Sequence, residues 1–244
     1  MFTKQSNMQA KEYNFILEHI LNKISTKTSL FSVRSAKDFS RTRIFTFKNT
    51  LLCILGMAGN SLNKELYSFF KDKPYSATAS AFVQQRAKIL PSAFEYLFHR
   101  FNESCIDKKT YKGHKLLAVD GSDLNYFKDE TDSDCHIIGQ NCNQLHINAL
   151  YDLMNRVYVD CITQPKLKVN EPLACCEMVR RNEFLKSILT ADRGYGSLNL
   201  IETVNRTDNL DYLFRCYILP VRPDRKDKRK LIPKGAVSFI YRVA

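Results

Sequence analysis

The stretch "LTADRGYGSLN", residues 189–199, decides how the rest of the chain reads. The short apolar run at 188–191 reads as a buried strand, and it delivers one carboxylate, Asp192. Arg193, Gly194, Tyr195 and Gly196 follow at once, a turn by composition. Ser197 then stands as the N-cap of an amphipathic helix, "SLNLIETVNR" (197–206). Such a strand–turn–helix unit belongs to an α/β sheet, and these sheets place their chemistry at the carboxyl ends of their strands. A polar strand end with a glycine turn is the bland alternative. One aspartate does not separate the two.

A second aspartate stands in the same setting. "LLAVD" (116–120) is an apolar run that ends on Asp120 and is followed by Gly121-Ser122. On parallel neighbouring strands, about 5 Å apart, Asp120 and Asp192 would face each other and repel. A divalent cation removes that cost, and oxygen-only ligands favour Mg²⁺ or Mn²⁺. Two such ions, about 3.5–4 Å apart, can bind both the attacking and the leaving oxygen of a phosphoryl transfer.

Outward from this pair, "QLHINALYD" (144–152) and "RVYVDCI" (156–162) alternate in polarity across a short link, as a hairpin does. "NEPLACCEMVRRNEFL" (170–185) reads as a helix with Pro172 near its start, and "LDYLFRCYIL" (210–219) as a further strand. The expected order is strand, hairpin, helix, strand, helix, strand. The first hundred residues read differently. Segments 8–24, 47–58, 61–70, 78–90 and the stretch after Pro91 all carry helical periodicity. Two short helices there, the second carrying Gln84, Gln85 and Arg86, resemble a DNA-reading arrangement. The expected fold is α/β, a mixed sheet preceded by an all-helical region. Its expected divisions are a helical DNA-binding region at 1–112, a core at 113–221 and a basic segment at 222–244 with an exposed charge run at 222–230.

The net charge of +12 is unevenly spread. Residues 1–115 hold 19 Lys and Arg against 8 Asp and Glu; residues 116–221 hold 10 against 15; residues 222–244 hold 8 against 2. Basic ends suit a polyanion, and an acidic middle suits a metal better than a phosphate-binding face. No apolar run approaches the length of a membrane span, and the amino terminus lacks the apolar stretch of a secretory signal. The eight cysteines form no CxxC pair, which fits a reduced, cytoplasmic chain using them as small apolar residues.

"LLAVDGSDLN" (116–125), "QLHINALYDLMNRVYVDCITQP" (144–165), "NEPLACCEMV" (170–179), "LTADRGYGSLNLIE" (189–202) and "YLFRC" (212–216) resemble, in order and spacing, the DDE transposases of bacterial insertion sequences, and among these the insertion-sequence-four family. The resemblance implies an RNase H-like core. It implies Asp120 and Asp192 as the first two catalytic acids and metal ligands, and two Mg²⁺ or Mn²⁺ ions in the complete enzyme. Its implied partners are double-stranded DNA, both transposon ends and target, and a second copy of the chain on DNA, all at the bacterial nucleoid. The implied reaction is metal-dependent DNA strand cleavage and transfer. The family's third acid, a glutamate in a Tyr-Arg-Glu-Lys signature, has no counterpart here: Glu202 lies too early, and no acid follows Asp227. The chain therefore reads as a transposase cut short before its third acid. The alternative function is a catalytically inactive DNA-binding fragment that inhibits transposition.

Other residues carry two readings each. Asp123 is a spare ligand or a turn carboxylate. Cys135, His136, Cys142 and His146 invite a zinc site, but their spacing fits no common zinc motif. Arg193 approaches a DNA phosphate or pairs with Asp192. Tyr195 stacks on a base or packs in the core. Glu171 and Pro172 open a helix.

Overall fold

The computed structural model describes residues 10–35, 37–41, 43–73, 75–105, 109–216 and 238–242. The charge run at 222–230 lies outside them. The chain divides into two compact units, Met1–Cys105 and Ile106–Ala244.

The first unit is helical: α1 (Ala10–Ser25), α2 (Phe47–Leu55), α3 (Leu62–Phe70), α4 (Ala79–Arg86) and α5 (Ser92–Cys105). α1 buries Ile20, Leu21 and Ile24, spaced for one helix face, while Phe15 remains exposed. These side chains pack with Leu51, Ala93 and Leu97. A second cluster joins Phe45, Cys53, Leu66, Phe70 and Phe82, with Phe45 edge-on to both Phe70 and Phe82. Thr46 and Thr78 cap α2 and α4 by accepting the N–H groups of Asn49 and Ala81.

The second unit is α/β. Its elements are β1 (Lys115–Tyr126), β2 (Asn143–Asp152), β3 (Val157–Pro165), α6 (Glu171–Arg181), β4 (Ser187–Ala191), α7 (Leu198–Asn205), β5 (Leu210–Cys216) and β6 (Ser238–Arg242). The sheet order is β3-β2-β1-β4-β5-β6. β1, β2 and β3 pair antiparallel, β1, β4 and β5 pair parallel, and β6 returns antiparallel beside β5. The β2–β3 turn is tied by the Asp152 carboxylate, which accepts the N–H groups of Met154 and Asn155.

Strand alternation makes one face of this sheet apolar. Leu117 and Val119 of β1, Leu189 of β4 and Phe214 of β5 pack against the buried side of α6 (Cys175, Cys176, Met178, Val179) and against Leu200 and Val204 of α7. Burying several side chains of this size contributes about 1.5–3 kcal/mol each. The Cys175 thiol is pushed up to about 12 by its burial, so it behaves as an apolar group. Asp160 of β3 is also buried; Arg181 and Asn182, from the end of α6, hold it by side-chain hydrogen bonds and so fasten that helix to the sheet.

Candidate active site

In the parallel pairing of β1 and β4, Leu117 stands beside Leu189 and Val119 beside Ala191. Asp120 and Asp192 are the next residue on each strand, so neighbouring strands present them side by side. Val119 and Ala191 point toward the helices, hence the two aspartates point to the opposite side of the sheet. Both are exposed, Asp192 with 57% of its side-chain surface open. The Asp120 Oδ1 accepts the N–H of Gly121 at 2.9 Å. The Asp192 carbonyl accepts the N–H of Tyr195 at 3.0 Å, closing the short turn Arg193–Tyr195. Arg215 of β5 sits on the same side, two strands from Asp120, with its Nη1 3.8 Å from Asp192 Oδ1.

β1 does not stop at Asp120, as its sequence suggests. It pairs with β2 from Leu117↔Asp152 to Tyr126↔Asn143, and these bonds keep residues 120–126 extended. Only its parallel partner ends, at Ala191. Asp120 therefore lies inside a strand, where the neighbouring β4 gives way to a turn. Asp123 is likewise a strand residue rather than a turn carboxylate.

Behind this step, on the helix side of the sheet, lies a polar cluster. His146, buried on β2 directly across from Asp123, is held at both ring nitrogens. Its Nδ1 is 2.7 Å from Asp123 Oδ1 and its Nε2 3.0 Å from Glu171 Oε1. Lys166 Nζ donates to Asp123 Oδ2 at 2.6 Å. The Lys166 bond, then the His146 bond, hold the Asp123 carboxyl below the usual carboxylate range. Tyr195 is buried, and its hydroxyl donates to Asn148 Oδ1 at 3.1 Å. Burial first, then the nearby carboxylates of Glu171 and Asp120, push its phenol well up, so it stays protonated.

The sequence reads Glu171 as a helix opener and weighs His146 for zinc, but does not show their pairing beside Gly121. Glu171 does stand in the first turn of α6, after the cap Asn170 and beside Pro172, but its carboxylate reaches back to the sheet. The trace of it in sequence is the glycine after each aspartate. A Cβ on Gly121 would lie 2.5 Å from Glu171 Oε1 and closer still to His146 Nε2; one on Gly194 would lie 3.3 Å from Glu171 Oε2. The same carboxylate crowds both positions, closing Gly121 to a Cβ and leaving only a tight fit at Gly194.

Residues 111–238, just over half of the chain, match the family model of the transposase DDE domain. The chain belongs to this family. No curated protein matches it. Among solved structures, one similar chain is that of the cryo-EM structure of a piggyBac transposase synaptic complex with hairpin DNA. The two are 12% identical with a TM-score of 0.40; the match covers 91% of this chain and 52% of the other, so this chain spans about half the length of that one.

Membership in the DDE family implies divalent-metal dependence, and the residues where β4 ends beside β1 suit such an ion. Mg²⁺ and its analogues keep several waters and take one or two carboxylates plus substrate phosphates. Asp120 and Asp192 offer two exposed, oxygen-only donors of that kind. Among the described residues, no group of three or more His, Cys, Asp or Glu side chains is placed to hold a metal ion. Of the residues considered for zinc, His136 binds Asn143 Oδ1 at 3.2 Å, Cys135 is buried, and His146 is engaged with Asp123 and Glu171.

In the helical unit, α4 places its three singled-out residues differently. Gln84 and Arg86 are exposed; Gln84 Nε2 lies 3.4 Å from Ser80 Oγ, and the Arg86 guanidinium lies 5.8 Å from the Phe82 ring centre. Gln85 is buried and accepts from Lys88 Nζ at 3.0 Å, because it shares the core face with Phe82, three positions earlier. It lines a cleft of about 330 Å³ with Arg34, Lys37, Arg41, Arg43 and Lys88. The acid there, Asp38, is buried and already paired with Arg34. No helix among the described residues is long and apolar enough to cross a membrane.

Proposed function

We propose that this DDE-family transposase cleaves and transfers DNA strands with Asp120 and Asp192 as metal-binding acids, in an RNase H-like core of the insertion-sequence-four kind. The observation that supports this most is the pairing of the two aspartates at the step where β4 ends beside β1. A divalent ion held there, one of a pair, would act as a Lewis acid on a phosphodiester oxygen. Asp120 and Asp192 supply two negative charges for it, and the Gly121 N–H fixes the Asp120 carboxylate. Arg215 lies where it would meet a phosphate approaching the pair. The basic cleft of the helical unit, with Gln84 and Arg86 nearby, serves duplex DNA, and Arg193 borders the same turn as Asp192.

The test is Mn²⁺-dependent nicking of supercoiled plasmid by the 244-residue chain. Nicking is expected to be weak, and Asp120→Asn or Asp192→Asn should abolish it. Nicking that survives both substitutions would overturn the assignment. Tight DNA binding with no nicking under any metal would favour the other reading, a DNA-binding inhibitor of transposition; the presence of only two converging carboxylates among the described residues gives that reading its support.

A further inference from the structure

We propose that Glu171 and His146 are positioning residues for the metal site, acting on Asp120 from the far side of the sheet through Gly121. The inference rests on the reading of Asp120 and Asp192 as metal ligands.

Three observations converge on it. The first is direction. Successive residues of a strand point to opposite faces, so Gly121 faces α6 while Asp120 faces away. Glu171 therefore does not join the aspartates as a third ligand; it touches the backbone that carries one of them. The second is proximity. The Glu171 Oε1 and His146 Nε2 lie so close to Gly121 that a Cβ does not fit, and Glu171 Oε2 borders Gly194, two residues after Asp192. The Gly121 N–H is itself the donor to Asp120 Oδ1. One carboxylate thus abuts the strand residue that follows Asp120 and the turn that follows Asp192. The third is rigidity. His146 is 6% exposed and bonded at both nitrogens, and Asp123, its other partner, is anchored by Lys166. Asn170 caps α6 and sets the start of the helix from which Glu171 reaches. A side chain fixed at both ends transmits position, whereas a free one does not.

The consequence is a fixed distance between two carboxylates that repel each other when no cation is bound. If Glu171 is removed, the Gly121 and Gly194 backbones lose their common stop, and the pair is free to spread. Partners of this indirect kind typically change metal affinity about 10–100-fold when mutated.

The experiment measures Mn²⁺ affinity of the 244-residue chain by calorimetry or electron paramagnetic resonance, with DNA absent. Asp120→Asn and Asp192→Asn should each remove the site; if neither does, the metal reading fails and takes this inference with it. Given that control, Glu171→Ala should weaken Mn²⁺ binding by about tenfold or more. Glu171→Gln keeps the shape and an acceptor for His146, so it should stay within about threefold of wild type. Equal losses in Glu171→Ala and Glu171→Gln would overturn the positioning role in favour of a directly bound carboxylate, and no loss in either would overturn it outright. Gly121→Ala should imitate Glu171→Ala, and the two should combine less than additively because they disturb the same packing. A readout independent of metal is the Gly121 amide resonance: it should shift in metal-free Glu171→Ala, with circular dichroism unchanged. An unmoved resonance would count against the proposed coupling even if the metal affinity fell.

Discussion

Asp123 is placed between a lysine and a buried histidine, and its ionisation follows from both. The Lys166 hydrogen bond does most to depress its carboxyl, and the His146 bond adds to it. A depressed carboxyl stabilises the fold above its ordinary value of 3.8, and that contribution is lost as pH falls through the folded value. Lys166→Ala should raise the Asp123 value toward the ordinary one. The stability difference between wild type and Lys166→Ala should then narrow as pH drops below 3.8. The pair is partly exposed, so the neutral-pH difference should be about 0–1 kcal/mol. Carboxyl-carbon NMR titration gives the first quantity and urea unfolding at several pH values the second; a pH-independent difference would contradict this account. At this scale the sequence is informative about Asp120 and Asp192, because each follows an apolar run and precedes glycine. It is silent about the pairing of Glu171 with His146. A glutamate in a first helical turn is common for its effect on the helix dipole, and a histidine on an alternating strand has no period of its own. Only the register Asp123↔His146, set by β1 running on past Asp120, brings Asp123, His146, Lys166 and Glu171 together.

The elements themselves follow closely from local chemistry. The hairpin, α6, β4, α7 and β5 come in the order that periodicity and caps indicate, and Ser197 does cap α7 by accepting the Leu200 N–H. Two features depend on partners far along the chain and could not be read locally. One is the length of β1, which β2 extends to Tyr126. The other is β6, which pairs with β5 across a segment of more than twenty residues. Ser61 illustrates a subtler case. It occupies the N-cap position of α3 as its sequence suggests, yet its side chain makes no capping bond. The Glu65 carboxylate instead accepts the N–H groups of Ala58 and Asn60 and ties down the incoming turn. The caps should therefore differ in weight. Asn170→Ala, which removes the acceptor for Leu173 N–H, should cost about 0.5–2 kcal/mol, and Ser61→Ala markedly less. Chemical denaturation of both variants checks the order; equal losses would show that Ser61 caps α3 after all.

Across the whole molecule, charge is segregated: the helical unit is strongly basic and the α/β unit carries the paired aspartates. For the basic unit, the question is which cations meet DNA. The exposed glutamine and arginine of α4 attract attention in sequence, but the densest positive charge comes from the segment between α1 and α2. Lys37, Arg41 and Arg43 line the cleft there, are exposed, and make no ion pair among the described residues, whereas Arg34 is committed to Asp38. Each phosphate neutralised on duplex DNA releases condensed counterions, so log affinity falls with log salt by about 0.9 per phosphate. Replacing Lys37, Arg41 and Arg43 together by alanine should weaken duplex binding at low salt. It should also flatten the salt dependence by about 0.9 for every phosphate no longer neutralised, up to roughly 2.7 if all three engage DNA. Exposed substitutions of this kind change stability by only about 0.5 kcal/mol each, so loss of fold would not account for the effect. Alanine at Gln84 and Arg86 provides the comparison, since at most one charge leaves and the slope should move by about 0.9 or less. Fluorescence anisotropy of a labelled duplex, titrated with the full chain at several salt concentrations, separates the two outcomes. An unchanged slope in the triple variant, with a large change on α4 substitution, would move the DNA-contacting surface from the cleft to that helix.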